Sequence, residues 1–193
     1  MTDASLRELE RRWRESGSLD DEVAWLAARR RSGELGRAHL ELAAACGHRA
    51  AGLACGTQAA SPPETYRALA RTLTGVGDRL ILVAVRSIAA SLEETSADAA
   101  TRTAASLACR ATEAALRPRS ARAQDQGALV RAHAAWLDLR GLDIILAGPL
   151  SAWDLLRLAL ETAEREALSL DVVLRVLARH SLSPSSDMPD VAP

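Results

Sequence analysis

Apolar residues recur three and four positions apart through most of this chain, and glycines and prolines cut that pattern into short pieces. Within residues 5–56 the cuts fall at Gly17, Gly33 and Gly47. The spacing predicts a first helix over residues 5–16, with Leu6, Leu9 and Trp13 on one face and a capping box of Ser5 and Glu8 at its start. Gly17 ends it. Ser18 or Asp20 caps a second helix. Its first turn holds Asp21 and Glu22 and its last turn Arg29, Arg30 and Arg31, each of the sign that the helix dipole favours. Val23, Leu26 and Ala27 form its inner stripe, with Trp25 beside it. A third helix is predicted over residues 34–46, with Leu35, Ala38, Leu42 and Ala45 inward. A short fourth covers residues 48–55, with His48 in place to cap it.

Residues 56–61 read as a linker. Ser61-Pro-Pro-Glu64 has the order of a helix start, and Tyr66, Leu69, Ala70 and Leu73 form the buried face that follows. Gly75 and Gly77 break the chain, and Asp78 caps the next helix. Residues 80–90 are apolar nearly all round, which predicts the most buried helix. Helix is preferred to strand there because the apolar run continues to Leu92 without a turn signal. Ser96 caps an alanine-rich helix to about residue 116, with Ala100, Ala104, Leu107, Ala108, Ala111 and Ala115 inward, and Pro118 ends it. Residues 119–126 read as a loop or frayed start. A helix over residues 129–140 aligns Leu129, Ala132, Trp136 and Leu139. Residues 142–146 read as a helical turn. Ser151 and Asp154 form a capping box for a helix to about residue 167, and Ser169 starts a last one through Val173, Val176 and Leu177 to about His180.

No segment alternates like a strand, so the fold class expected is all-α: a multi-helix bundle, or a short array of antiparallel helical hairpins, of about nine or ten helices. A clean repeat near 34 or 40 residues is missing, which disfavours a solenoid. The expected organisation is a single all-helical domain over residues 1–182, made of an N-terminal helical subunit (5–56) and a main bundle (61–182). Residues 183–193, rich in proline and serine, read as a disordered tail.

Composition narrows the chemistry. With 193 residues there is enough chain for a real core, but aromatics are only 3% and Phe is absent, so the core is Leu, Ala and Val around four Trp. Trp13, Trp136 and Trp153 read as core residues and Trp25 as partly exposed. The formal charge of -1 supplies no field for nucleic acid. All basic residues other than histidine are Arg; the missing Lys removes the phosphate-loop and Schiff-base lysines, and with them two large enzyme classes. Three cysteines (Cys46, Cys55 and Cys109), a charged N-terminal stretch and no long apolar run lead to an expectation of reduced thiols, no membrane span and a cytoplasmic location.

The run Leu6-Arg-Glu-Leu-Glu-Arg-Arg-Trp13, then Gly17-Ser-Leu-Asp-Asp-Glu22, then Leu40-Glu-Leu-Ala-Ala-Ala-Cys-Gly-His48 resembles a segment that recurs in uncharacterised helical proteins of high-GC bacteria. The resemblance covers about the first quarter of the chain. It implies a helical fold and brings no activity and no catalytic residues.

Among candidate sites, His39, Cys46, His48 and Cys55 are ligand types that suit zinc, but their spacing lacks the close cysteine pair of a zinc finger. Buried cysteine more often behaves as a small hydrophobe. No Gly-x-Ser-x-Gly elbow and no His-Glu-x-x-His occurs. Gly75-Val-Gly77 lacks a third glycine, and Cys109 stands mid-helix among alanines. The pairs Asp20-Asp21 and Glu93-Glu94 read as solvated helix ends. Arg110, Arg117, Arg119, Arg122 and Arg131 make a basic stretch without interleaved aromatics for base stacking. The functional expectation is therefore a non-enzymatic protein–protein scaffold or adaptor without a cofactor. Trp25, Arg29 and Arg30 are the candidate interaction residues, since Trp and Arg anchor interfaces. The alternative is a metal-binding or regulatory helical protein using the His/Cys cluster, with nucleic-acid binding behind it. The sequence argues against a small-molecule substrate.

Overall fold

The computed structural model describes residues 3–57, 61–74, 76–116, 126–140 and 151–183. Among them are ten α-helices and no strand: α1 (Asp3–Ser16), α2 (Leu19–Ser32), α3 (Arg37–Ala45), α4 (Arg49–Cys55), α5 (Tyr66–Thr72), α6 (Asp78–Thr95), α7 (Ala99–Leu116), α8 (Gln126–Arg140), α9 (Ala152–Arg165) and α10 (Leu170–Leu182). The all-α expectation holds. No described helix is long and apolar enough to cross a membrane. The chain divides into two compact units, Met1–Pro63 with Ala178–Pro193, and Glu64–Leu177. The expectations for Gly75 and for residues 117–125, 141–150 and 184–193 lie outside the described residues.

In the first unit α1 packs on α2, α2 on α4 and α3 on α4. Leu26 and Leu40 are fully buried, and Ala28, Ala43 and Ala51 leave room for backbones to approach. Ser18 is the cap of α2, accepting from the Asp21 N–H, and Gly33 closes that helix in the left-handed region with its N–H on the Arg30 carbonyl. His48 caps α4 through Nδ1, as its place after Gly47 suggests. Three expectations change. On α2 the residues buried with Leu26 are Ala28 and Arg29, while Val23 and Ala27 are only half-buried. Helix α1 already runs from Asp3, so Ser5 lies inside it and Glu8 accepts from Arg11 instead of closing a capping box. The inner face of α3 is Leu40, Leu42, Ala43 and Ala44, while Ala38 is exposed and Ala45 only half-buried. Leu35 is buried, but it enters the core from the turn before α3, off the stripe that its spacing implied.

In the second unit α6 packs on α7 and α9, α8 bridges α7 and α9, and α5 lies on α9. Helix α6 buries every residue from Leu80 to Val85 and also Ser87, Ile88, Ala89, Ser91 and Leu92. Its buried hydroxyls are satisfied within the helix: Ser87 donates to the Val83 carbonyl at 2.7 Å and Ser91 to the Ser87 carbonyl at 2.8 Å. The α8 stripe of Leu129, Ala132, Trp136 and Leu139 is buried as expected, and the Ser151–Asp154 capping box of α9 is present in both directions.

Several caps and one stripe in this unit differ from expectation. Thr65, not Ser61, caps α5; Gly77 precedes Asp78 at the start of α6; and Asp98, not Ser96, accepts the Thr101 N–H at the start of α7. Ser96 instead ends α6. On α7 the buried residues are Ala105, Ala108 and Thr112, and Leu107 is 51% exposed. In so alanine-rich a helix neighbouring stripes are nearly equivalent, and Thr112 tolerates burial because its hydroxyl donates to the Ala108 carbonyl. Trp153 is exposed rather than core, because α9 buries Ala152, Leu155, Leu156, Ala159 and Ala163, a stripe that passes it by.

Candidate functional site

The candidate site stands on the α1–α2 hairpin, which a polar clamp holds together. The hydroxyls of Ser16 and Ser18 donate to Asp21 Oδ2 at 2.7 and 2.9 Å, and Arg12 Nη2 lies 2.6 Å from Oδ1. These hydroxyls, with a smaller contribution from Arg12, hold the Asp21 carboxyl below its usual range. Along the outer face of α1, Arg11 pairs with both Glu8 and Glu15 one turn away on either side.

The clamp brings together two side chains on opposite arms. Trp13 and Trp25 stack with ring centroids 4.4 Å apart and planes 13° from parallel, and both remain half-exposed. Arg29, one turn beyond Trp25, places its guanidinium carbon 4.8 Å from the Trp25 ring centroid. Arg29 is only 4% exposed. Its Nη1 donates to the Leu182 carbonyl at 2.7 Å, and its Nε lies 3.6 Å from Glu34, a carboxylate that is itself about half in solvent. Burial lowers its proton affinity, opposed by Glu34 and Glu10, but an arginine keeps its charge under such conditions.

These residues line a cleft of about 600 Å³. Leu6, Trp13, Trp25 and Leu182 give it apolar walls. Arg7, Arg14, Arg29, Glu10 and Glu34 supply its charged lining. Arg14 is committed to Glu10 at 2.6 Å, whereas Arg7 has no ion pair among the described residues. The arrangement can accept an apolar side chain on aromatic surface and hold a charged group beside it.

Of the expected interaction residues, Trp25 lines the cleft, Arg29 lines it from a buried position, and Arg30 is exposed elsewhere on α2. Trp13, read as core, belongs to the cleft wall; its placement across the Gly17 turn from Trp25 was the available signal. Leu182 carried none, because its partner lies at the other end of the chain.

The His/Cys set is not assembled. Cys46 is buried and its thiol is pushed up to about 12 by that burial. His48 is occupied as the α4 cap, with Nε2 3.5 Å from Glu22. Among the described residues no group of three or more His, Cys, Asp or Glu could hold a metal ion. A second cleft, of about 760 Å³, lies between α5 and α9 with Tyr66, Ala70, Trp153 and Leu160 on its walls; its phenol is already used, donating to the Leu168 carbonyl at 2.8 Å. No protein-family model, no curated protein and no solved structure matches this chain.

Proposed function

We propose that this chain is a non-enzymatic cytoplasmic adaptor that binds another protein through the cleft between α1 and α2. The observation that carries this reading is the half-exposed Trp13–Trp25 stack beside Arg29 on the wall of that cleft. Aromatic and arginine side chains in a concave, partly desolvated setting are the types that dominate binding energy at interfaces. Raised thiol proton affinities at Cys46, Cys55 and Cys109, all caused first by burial, support a reading without a cysteine nucleophile.

The test is capture of partners from native-host extract on immobilised full chain, quantified beside Trp25→Ala and Leu107→Ala. The first variant empties the cleft wall; the second removes an exposed side chain of the other unit that does not line the cleft. Partners retained by the wild type and by Leu107→Ala should be lost with Trp25→Ala, while its dichroism spectrum stays helical. Equal capture by all three would end the proposal.

A further inference from the structure

We infer that the segment seated in the α1–α2 cleft is acidic: a stretch of the partner protein in which a large apolar side chain stands within about one helical turn of a carboxylate. This rests on the adaptor reading and names the chemistry of its partner.

Charge is the ground for it. Among the described residues the lining carries three guanidinium groups against two carboxylates. Arg14 and Glu10 neutralise each other at 2.6 Å. Arg7 is left without an ion pair among the described residues. Arg29 is almost wholly buried, yet Glu34 stands 3.6 Å from its Nε and half in water, and Glu10 is the second carboxylate acting on it. A buried cation so weakly compensated gains from a further carboxylate, because desolvation strengthens the attraction. Seating a neutral segment would cover Arg29 further without compensation, and a basic one would set like charge against Arg7 and Arg29. The indoles of Trp13 and Trp25 supply the apolar contact beside that carboxylate.

The experiment selects random twelve-residue peptides displayed on phage against the full chain. The expected result is enrichment of Asp or Glu within four positions of Trp, Phe or Leu. Selected peptides, synthesised and measured by fluorescence polarisation, should bind Arg7→Glu about fivefold more weakly and lose affinity as salt rises. They should bind Glu34→Gln about threefold more tightly, because Arg29 is then freed of its competitor. That gain cannot come from misfolding. Enrichment of Arg- or Lys-rich peptides, no enrichment, or weaker binding to Glu34→Gln overturns the inference. Uncharged apolar peptides that are lost with Trp13→Ala would overturn the acidic partner and leave the cleft standing. Binding that neither Trp13→Ala nor Trp25→Ala disturbs would overturn both.

Discussion

Arg29 Nη1 donates to the carbonyl oxygen of Leu182 at 2.7 Å, across 153 positions of chain. A last-turn arginine that the helix dipole would place in solvent is thereby a buried strut. Its removal leaves a carbonyl unsatisfied and takes packing from Trp25. Arg29→Met should lower stability by about 2 kcal/mol in urea unfolding followed by dichroism. Arg29→Lys should restore less than half of that, since an ammonium cannot lie flat by the indole and reach the carbonyl together. Full recovery with lysine would mean that charge alone matters there.

Trp136 is fully buried and its indole N–H points to the Thr112 hydroxyl at 3.4 Å, which itself donates to the Ala108 carbonyl. Thr112→Val should cost about 1–2 kcal/mol, because it strands that N–H in the core. Trp136→Ala should cost about 3–5 kcal/mol through the cavity it leaves. In the double variant the losses should fall short of additive by about 0.5–1 kcal/mol, since Thr112 then has no indole to satisfy. Strict additivity would show that the bond contributes nothing.

Gly17 and Gly47 both sit in the left-handed region, at φ 60 and φ 91. A methyl group at Gly17 would meet nothing within 4 Å, whereas at Gly47 it would come within 3.3 Å of Pro62 Cβ. Gly17→Ala should therefore cost only the backbone term of about 1 kcal/mol, and Gly47→Ala more. Melting temperatures of the two variants decide the order; a reversed order would refute the contact at Pro62.

His133 is 3% exposed, with Nδ1 buried and unpartnered. Burial lowers its proton affinity below the ordinary 6.5, against smaller opposing effects from the Leu129 carbonyl and Asp154. The unfolded chain thus takes up a proton that the folded one resists, so stability is full above about pH 6.5 and declines as pH falls through it. Urea midpoints at pH 7.5 and 5.5 should differ for the wild type and converge for His133→Leu. His39, His48 and His180 are common to both chains, so the difference isolates this ring. An unchanged gap would assign the acid sensitivity to another group.

Much of the helical architecture was legible in the residues. The Ser151–Asp154 box marked the start of α9, and the Leu129–Trp136 stripe marked the buried face of α8, although that helix begins earlier, at Gln126. Where one signal had near-equals, it misled: Ser61 beside Thr65, Ser96 beside Asp98, and Ala104 beside Ala105 in a helix made mostly of alanine. The cleft was half legible, through Trp25 and Arg29.

Helix propensity, capping and stripe spacing act over about four residues, so the chain by itself determined the ten described helices and the apolar run of α6. The burial of Arg29, the stacking of Trp13 on Trp25 and the exposure of Trp153 were decided only when distant segments met. A charge goes inside, or an indole stays out, according to which neighbour supplies the carbonyl or the covering surface, and no local spacing records that neighbour.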